Sequence, residues 1–522
     1  MKDFSQYRKL GCLGYNSMTD WFAELVDKYR TRIALVSKTR EFTYDQLWLE
    51  SRCLASTLRE SGLERHDICV LQTDNNDEFV LSLLALLIIG VKPVLALPTN
   101  RHAEIIHFVK VSKATSVIFS TSIGGKEHLK VIRNVLSSEP NIRRVFTFGK
   151  CENATDISHF SSQPYKLEQF DPDATAFYLL SGGTTGLSKL IPRRHAEYIY
   201  NIQLAANNAE MAQNSTYLVT LPMAHNYALG CPGIFGVFSK GGKVILSKDP
   251  SPDTSLDLIS QHAVTHIALV PPLAHHWVNA VSRYTGNLTS LEVVQVGGAK
   301  VSLELAQAIM NRFPNTLQQS YGMGEGFLSQ THRKDPESVK LQTQGKPLSM
   351  YDQYRVVDKN GQIIHTRPAQ GILEVNGPYT IGAYFNAPEA NRESFTDDGF
   401  YRTGDVVQIN LDGTLTVIGR SNDVINKGGE KVGPDELEEL LIRFPGAKEV
   451  AVFAIEDHIM GHRIGVAMVA EGKVSLPKIK TFLREQGIAE YKLPDKFKLV
   501  NELPKTPVGK LDRKAIKQDY LK

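Results

Sequence analysis

Ser181-Gly-Gly-Thr-Thr-Gly-Leu-Ser-Lys189 follows directly on the apolar run Ala176-Phe-Tyr-Leu-Leu180. A short apolar segment that opens into glycines and hydroxyls and closes on a lysine reads as a strand feeding an anion-binding loop. Gly182, Gly183 and Gly186 let backbone N–H groups come close to phosphate oxygens. Ser181, Thr184, Thr185 and Ser188 offer hydroxyl donors, and Lys189 adds charge. The loop is not of the Walker A type, which ends in contiguous G-K-[ST]; here two residues separate Gly186 from Lys189. Gly, Ser and Thr also make ordinary surface loops, so the meaning of this stretch depends on its companions.

With 522 residues the chain exceeds what one core supports and divides into at least two domains. A net charge of +3 arises from 59 basic against 56 acidic residues, which gives no broad basic face for nucleic acid. Met1-Lys-Asp-Phe-Ser5 has no apolar stretch behind it, so no secretory signal is expected. The longest apolar run, Phe79 to Val91, is broken by Lys92-Pro93. It falls short of the roughly 20 residues of a membrane span and reads as a buried helix. Cys12, Cys53, Cys69, Cys151 and Cys231 are scattered and form no C-x-x-C pair. That pattern disfavours a disulfide framework or zinc site and fits a cytoplasmic location.

Short β-branched runs alternate with helical stretches through the first three hundred or so residues, the pattern of α/β layers with parallel sheets. Ile68–Leu71, Ser116–Phe119, Tyr217–Leu221, Lys243–Leu246, His266–Val270 and Val293–Val296 all read as buried strands. Gly182-Gly183, Gly297-Gly298 and Gly322 each follow such a run. Ligands of parallel sheets sit beyond strand C-terminal ends, so these glycines are candidates for one crevice. From about Gln353, short strands joined by Asn360-Gly361 and Asp412-Gly413 turns indicate a β-meander or small barrel. After Arg420, a helix, a strand and a Pro-initiated helix suffice for a small α+β domain.

Five further segments carry chemistry-bearing residues. Tyr321-Gly-Met-Gly-Glu325 sets a carboxylate beside a glycine turn, where it suits a magnesium ion held through one protein ligand. Tyr401-Arg-Thr-Gly-Asp405 sets an Asp at an expected strand start, suited to a ribose diol. Leu221-Pro-Met-Ala-His-Asn-Tyr227 puts a histidine and an amide after a strand. Gly419-Arg-Ser-Asn-Asp-Val-Ile-Asn-Lys-Gly-Gly-Glu-Lys431 is a polar linker between domains, and Pro504-Lys-Thr-Pro-Val-Gly-Lys510 ends in a loop lysine.

Taken together, in this order and spacing, the motifs resemble those of the adenylate-forming acyl- and aryl-acid ligases over essentially the whole chain. The nearest likeness is to the stand-alone aryl-acid ligases of siderophore pathways. It is carried by Leu179 to Arg193, Leu221 to Tyr227, Thr343-Gln-Gly-Lys-Pro347 and Gly377-Pro-Tyr-Thr-Ile381. The resemblance implies an α/β fold: a large N-terminal domain (1–419) of two α/β subdomains plus a small β-barrel, a hinge (420–422) and a smaller mobile α+β C-terminal domain (423–522). It implies ATP and Mg2+ as cofactors, and a two-step reaction. An aryl carboxylate attacks the α-phosphate of ATP, and the aryl group then passes to the phosphopantetheine thiol of an aryl carrier protein. No membrane or nucleic-acid partner is implied.

The roles it implies are these. Lys510 bridges carboxylate and α-phosphate, with His225 and Glu325 as further catalytic residues and Glu325 as the metal ligand. The 181–189 loop clamps the pyrophosphate end. Gly297, Gly298, Ala299 and Tyr321 face adenine, Asp405 the ribose, and Arg420 completes the nucleotide site. Asn422 stands at the hinge, where the family usually has Asp or Lys, and Gly428 and Gly429 form the thiol-transfer loop. Gly324 replaces the Ala of G-M-A-E, which is expected to enlarge the pocket or loosen the turn.

Asn226 holds the place of an Asp that binds the ammonium in amino-acid-activating relatives. Lacking charge, it disfavours an α-amino acid and suits an ortho-hydroxyl. Tyr227 offers an aromatic face, and Gly297 and Gly322 leave room for the substrate. Ligases for 2,3-dihydroxybenzoate carry Ser and Val where this chain has Cys231 and Leu328. A thiol donates weakly and Leu328 fills space, so salicylate is the expected acid, with 2,3-dihydroxybenzoate or an acyl-CoA ligase activity as alternatives. A P-loop kinase lacks its G-K-[ST] junction here, and a degenerate nucleotide sensor is at odds with the presence of Glu325, Asp405, Arg420 and Lys510.

Overall fold

The computed structural model describes residues 4–120, 134–135, 137–139, 141–181, 188–298, 300–358, 360–420, 425–504 and 513–521. Two large sheets form the N-terminal body. The first has seven strands, ordered Thr155–Asp156, Arg144–Phe148, Ser116–Ser120, Ile68–Gln72, Lys92–Leu95, Thr175–Leu180 and Leu190–Arg194. Its neighbours pair in parallel except the last, which folds back antiparallel on Thr175–Leu180. The second has nine strands, with Leu317–Met323, Val293–Gly297, His266–Leu269, Thr216–Val219 and Lys243–Leu246 running parallel at its centre. These strands lack polar alternation because helices cover both faces.

Helix Asp77–Ile88 shows how the first layers meet. The Asn76 side chain accepts from the Phe79 amide at 3.2 Å and starts the helix. Every residue from Phe79 to Ile88 is buried, so the helix is apolar on all sides and is wrapped by its neighbours. Among the described residues no helix is long and apolar enough to cross a membrane.

Residues 353–420 form a four-stranded antiparallel sheet in sequence order: Gln353–Val357, Ala369–Asn376, Tyr401–Ile409 and Leu415–Arg420. Of the two shapes expected there, the strand order is that of a meander. The C-terminal domain has its own sheet, in which the long hairpin Ala447–Asp457 with Gly461–Ala470 is flanked by Ile425–Lys427, Glu430–Val432 and Lys496–Leu499. Helices Pro434–Leu441 and Leu476–Glu485 contribute to a separate apolar core there, which includes Leu437, Leu441, Ile479 and Leu483.

Asp405 differs from expectation. It lies inside strand Tyr401–Ile409, with Arg420 as its register partner, and not at the strand start. Gly404, with φ of 71°, supplies the backbone freedom that lets a turn-like sequence continue as strand.

Candidate active site

The two large sheets point their strand ends at one cleft. Beyond Lys92–Leu95 it meets Leu97 and Asn100; beyond Thr175–Leu180, Ser181; beyond Val293–Gly297, Gly298; and beyond Leu317–Met323, Gly324 and Glu325. The cleft, which opens to solvent, spans about 1170 Å³, and Asn226, Tyr227, Cys231 and Leu328 are among its lining residues. A crevice at the C-terminal ends of parallel strands is where an α/β layer binds ligands.

One part of the lining is organised around Asn226, which opens the short helix Asn226–Gly230. The Tyr198 hydroxyl donates to Asn226 Oδ1 at 2.9 Å, and Asn226 Nδ2 donates to Cys231 Sγ at 3.2 Å. A phenol has one proton to give, so this bond fixes the amide with its NH2 turned away from Tyr198. Tyr198 is fully buried, with its ring edge-on to Phe177 at 4.7 Å and Arg193 over its face at 4.6 Å. Burial pushes the Cys231 thiol up to about 12, against the pull of Arg193 and Asn201, so it stays a neutral, weak donor. Leu328 lies against Gly322, where a Cβ would stand 2.5 Å from Leu328 Cδ2. Tyr227 is buried beside them.

The turn at 324–326 is tied down from beneath. Arg193 Nη1 donates to the Gly324 carbonyl at 2.9 Å, while its Nε and Nη2 bind Glu197 at 3.0 and 2.7 Å. Arg193 and Glu197 are both buried, so the pair compensates each charge and spends the spare donor on the turn. Gly326, at φ of 96°, passes so near the Tyr379 carbonyl that a Cβ would lie 1.7 Å from it. A Cβ at Gly324 would lie 2.8 Å from Ile191 Cδ1, so Ile191 occupies the space expected to enlarge the pocket.

Glu325 is buried, and its Oε1 accepts from the Tyr384 hydroxyl at 2.6 Å. Tyr384 in turn lies 3.0 Å from the Tyr401 hydroxyl. Burial lowers the affinity of Lys189 for its proton, and Glu325 and Glu393 oppose that; the Lys189 ammonium sits over the Tyr384 ring at 5.0 Å. Among the described residues no group of three His, Cys, Asp or Glu side chains can cage a metal. A lone carboxylate with one oxygen engaged fits an ion that keeps waters and binds substrate phosphates, as Mg2+ does.

Of the expected site residues, Ser181, His225, Asn226, Tyr227 and Cys231 line the cleft, as do Gly298, Gly322, Glu325, Leu328 and Gly429. His225 caps the helix after it, accepting from the Tyr227 amide at 3.3 Å through Nδ1. Tyr321, Asp405, Lys189 and Gly297 do not line the cleft. The Tyr321 hydroxyl donates to Asp405 Oδ2 at 2.8 Å, which joins the two residues assigned to adenine and ribose. Gly297 leaves no room for a side chain, since a Cβ would lie 2.5 Å from the Ser320 carbonyl. Gly182, Gly183, Thr184, Thr185, Gly186, Ala299, Asn422 and Lys510 lie outside the described residues, and Arg420 is described for its backbone alone.

The C-terminal domain contributes Gly429, Glu430, Glu436, Tyr491 and Lys492 to the cleft lining. Asn426 Nδ2 donates to the Gly298 carbonyl at 3.4 Å, and a Cβ at Gly429 would stand 3.0 Å from Val270 Cγ1.

Sequence reasoning missed Tyr198, Arg193 and Ser320. Ser320 lines the cleft and its Oγ accepts from Gln330 Nε2 at 3.0 Å, so its own proton remains to give. Arg193 ends strand Leu190–Arg194 and Glu197 lies in the first turn of the next helix, so no helical spacing marked the pair. Nothing local marked Tyr198 or Ser320.

Residues 22–385 match the AMP-binding enzyme family and residues 436–510 match the AMP-binding enzyme C-terminal domain. The chain belongs to this adenylate-forming family. It is 40% identical over 514 residues to the 2,3-dihydroxybenzoate-AMP ligase of Bacillus subtilis, covering 98% of this chain and 95% of that one. It is 36% identical over 528 residues to a Streptomyces salicylyl-CoA synthase / salicylate adenylyltransferase, covering 98% and 95%. The apo structure of MbtA from Mycobacterium smegmatis superposes with a TM-score of 0.76 at 36% identity, covering 98% and 96%.

Proposed function

We propose that the protein activates an aryl acid with ATP, salicylate foremost, and passes the aryl group to a phosphopantetheine thiol on an aryl carrier protein in siderophore assembly. The observation that carries this reading is Asn226, a neutral amide in the cleft lining oriented by Tyr198. An α-amino acid would need an anion there; an ortho-hydroxyl beside a carboxylate needs only the donor that Asn226 Nδ2 offers. The likeness to ligases named for 2,3-dihydroxybenzoate and salicylate supports the same class.

The chemistry requires no base in its first step. A carboxylate oxygen forms a bond to the α-phosphorus as the bond to pyrophosphate breaks, so the task is orientation and charge stabilisation. Lys510 supplies the donor to the developing charge, and the 181–189 loop binds the leaving pyrophosphate. Glu325 would hold Mg2+, which supplies positive charge to the phosphate oxygens. In the second step the thiol sulfur bonds to the acyl carbon, AMP leaves and the thiol proton is lost to solvent. The 420–422 hinge separates the two arrangements, and Gly428-Gly429 serve the second. A cytoplasmic location accords with ATP and carrier as partners.

Cys231 and Leu328 support salicylate: a neutral thiol already receiving a bond from Asn226 is a poor partner for a 3-hydroxyl. Ser320 supports 2,3-dihydroxybenzoate as a second reading, because its proton is free to meet a further ring hydroxyl. Incubation with ATP, Mg2+ and each acid, followed by mass spectrometry of the adenylate, tests both. Addition of free CoA tests the CoA-ligase alternative. Salicyl-AMP is expected, and absence of any aryl-AMP would end the proposal.

A further inference from the structure

The C-terminal domain stands on the N-terminal domain at a second footing, distant in sequence from the 426–429 loop. Helix His102–Ser112 of the N-terminal domain begins there, and the C-terminal segment 487–492 lies across its first turn. A Cβ at Gly487 would be 2.3 Å from the His102 ring. At the centre are three buried charged side chains, Glu104, Lys492 and Glu436, which are 4%, 6% and 6% exposed. One ammonium lies between two carboxylates from different domains.

We propose that Glu104 is a positioning residue for thioester transfer, latching the C-terminal domain in the arrangement seen here. The inference rests on the two-step reading above. Its two carboxylate oxygens serve different domains. Oε2 accepts from the Arg101 amide at 3.0 Å, which caps its own helix and fixes its direction. Oε1 accepts from the Ala489 amide at 3.3 Å and lies 3.5 Å from Lys492 Nζ. Lys492 Nζ also binds Glu436 Oε1 at 2.8 Å within the C-terminal domain.

This division makes the contact reversible. When the domains part, Glu104 keeps its helix cap and gains water, and Lys492 keeps Glu436. Neither side is left as a buried charge without a partner, which is the costly outcome for a broken buried pair. A latch must hold without trapping, and a shared ammonium with a resident partner meets both demands. Glutamine cannot replace Glu104 in this role. Its single carbonyl oxygen can face the Arg101 amide or the Ala489 amide and Lys492, and its NH2 then opposes a donor on the other side.

Glu104→Gln is the test, with pantetheine as the thiol acceptor. Aryl-AMP formation, read by pyrophosphate exchange, is expected to stay within about twofold of wild type. Transfer from preformed aryl-AMP to pantetheine is expected to fall about tenfold, the scale of a modest population shift. Hydrogen exchange of residues 487–493 should speed up in the variant, with the core hairpin 447–470 unchanged. Equal loss in both half-reactions, unchanged transfer, or unchanged exchange at 487–493 would each overturn the latch. A wild-type protein that makes no aryl-AMP would overturn the functional reading, and the exchange comparison would still decide whether Glu104 holds the domain.

Discussion

Replacing Tyr198 by Phe removes one oxygen and keeps the ring against Phe177 and Arg193. The oxygen matters because it holds Asn226 Oδ1 at 2.9 Å in a site where Asn226 is only 8% exposed. Without it, the amide is free to turn its own oxygen towards the cleft, and the donor-inward orientation leaves a buried acceptor unpaired. Such an unpaired group costs about 1–3 kcal/mol. At about 1.36 kcal/mol per tenfold, kcat/KM for salicylate should fall roughly 5- to 150-fold. Benzoate has no ortho-hydroxyl to lose and should fall far less, so the preference for salicylate over benzoate shrinks. Pyrophosphate exchange with both acids measures this ratio directly. A parallel fall for the two acids, or no fall for either, would refute the role given to the Tyr198–Asn226 bond.

The remaining predictions concern other parts of the cleft. Cys231→Ser with Leu328→Val should move preference towards 2,3-dihydroxybenzoate, by adding a donor and removing a methylene; the kcat/KM ratio of the two acids checks it. Lys510→Ala should depress aryl-AMP formation by roughly 10²–10³, the scale of one lost oxyanion-type donor. Transfer from preformed salicyl-AMP should survive much better, and equal losses in a two-assay comparison would remove the domain-alternation reading. Gly326→Ala should cost at least about 2 kcal/mol of stability, since its φ of 96° and the Tyr379 carbonyl both oppose a Cβ; a thermal melt with unchanged Tm would contradict this.

The layers of the N-terminal body were legible because parallel strands are buried on both faces. Runs such as Ser116–Phe119 and Val293–Val296 are therefore buried throughout and carry only one polar residue each, without the alternation of a half-exposed strand. The strand ends carried the same information about the cleft, and Gly298, Gly322 and Glu325 do meet there. Asp405 was misplaced by a few residues because Arg402-Thr-Gly404 has the composition of a turn. The sheet takes up Gly404 within an irregularity of its pairing with Ala369–Asn376, where Ile372 faces Val406 and Glu374 faces Arg402. Tyr198 and Arg193 were illegible for a different reason. Their roles depend on partners 28 and 131 residues away, and no local pattern announces such a bond. Glu104 was hidden in the same way, since the capping of its own helix already explains its presence in the sequence. Its contact with Ala489 spans 385 residues and exists only when the domains meet.

Pyrophosphate exchange across salicylate, 2,3-dihydroxybenzoate, benzoate, a fatty acid and a set of α-amino acids bears most directly on the claim that this cleft activates an ortho-hydroxylated aryl acid. The expected result is exchange with salicylate at the highest kcat/KM. Because apolar pockets reject an added hydroxyl weakly, 2,3-dihydroxybenzoate should follow within about 10². Benzoate should be markedly poorer, and the amino and fatty acids should give no exchange. Exchange driven by an amino acid or a fatty acid, with none from either hydroxylated benzoate, would contradict it.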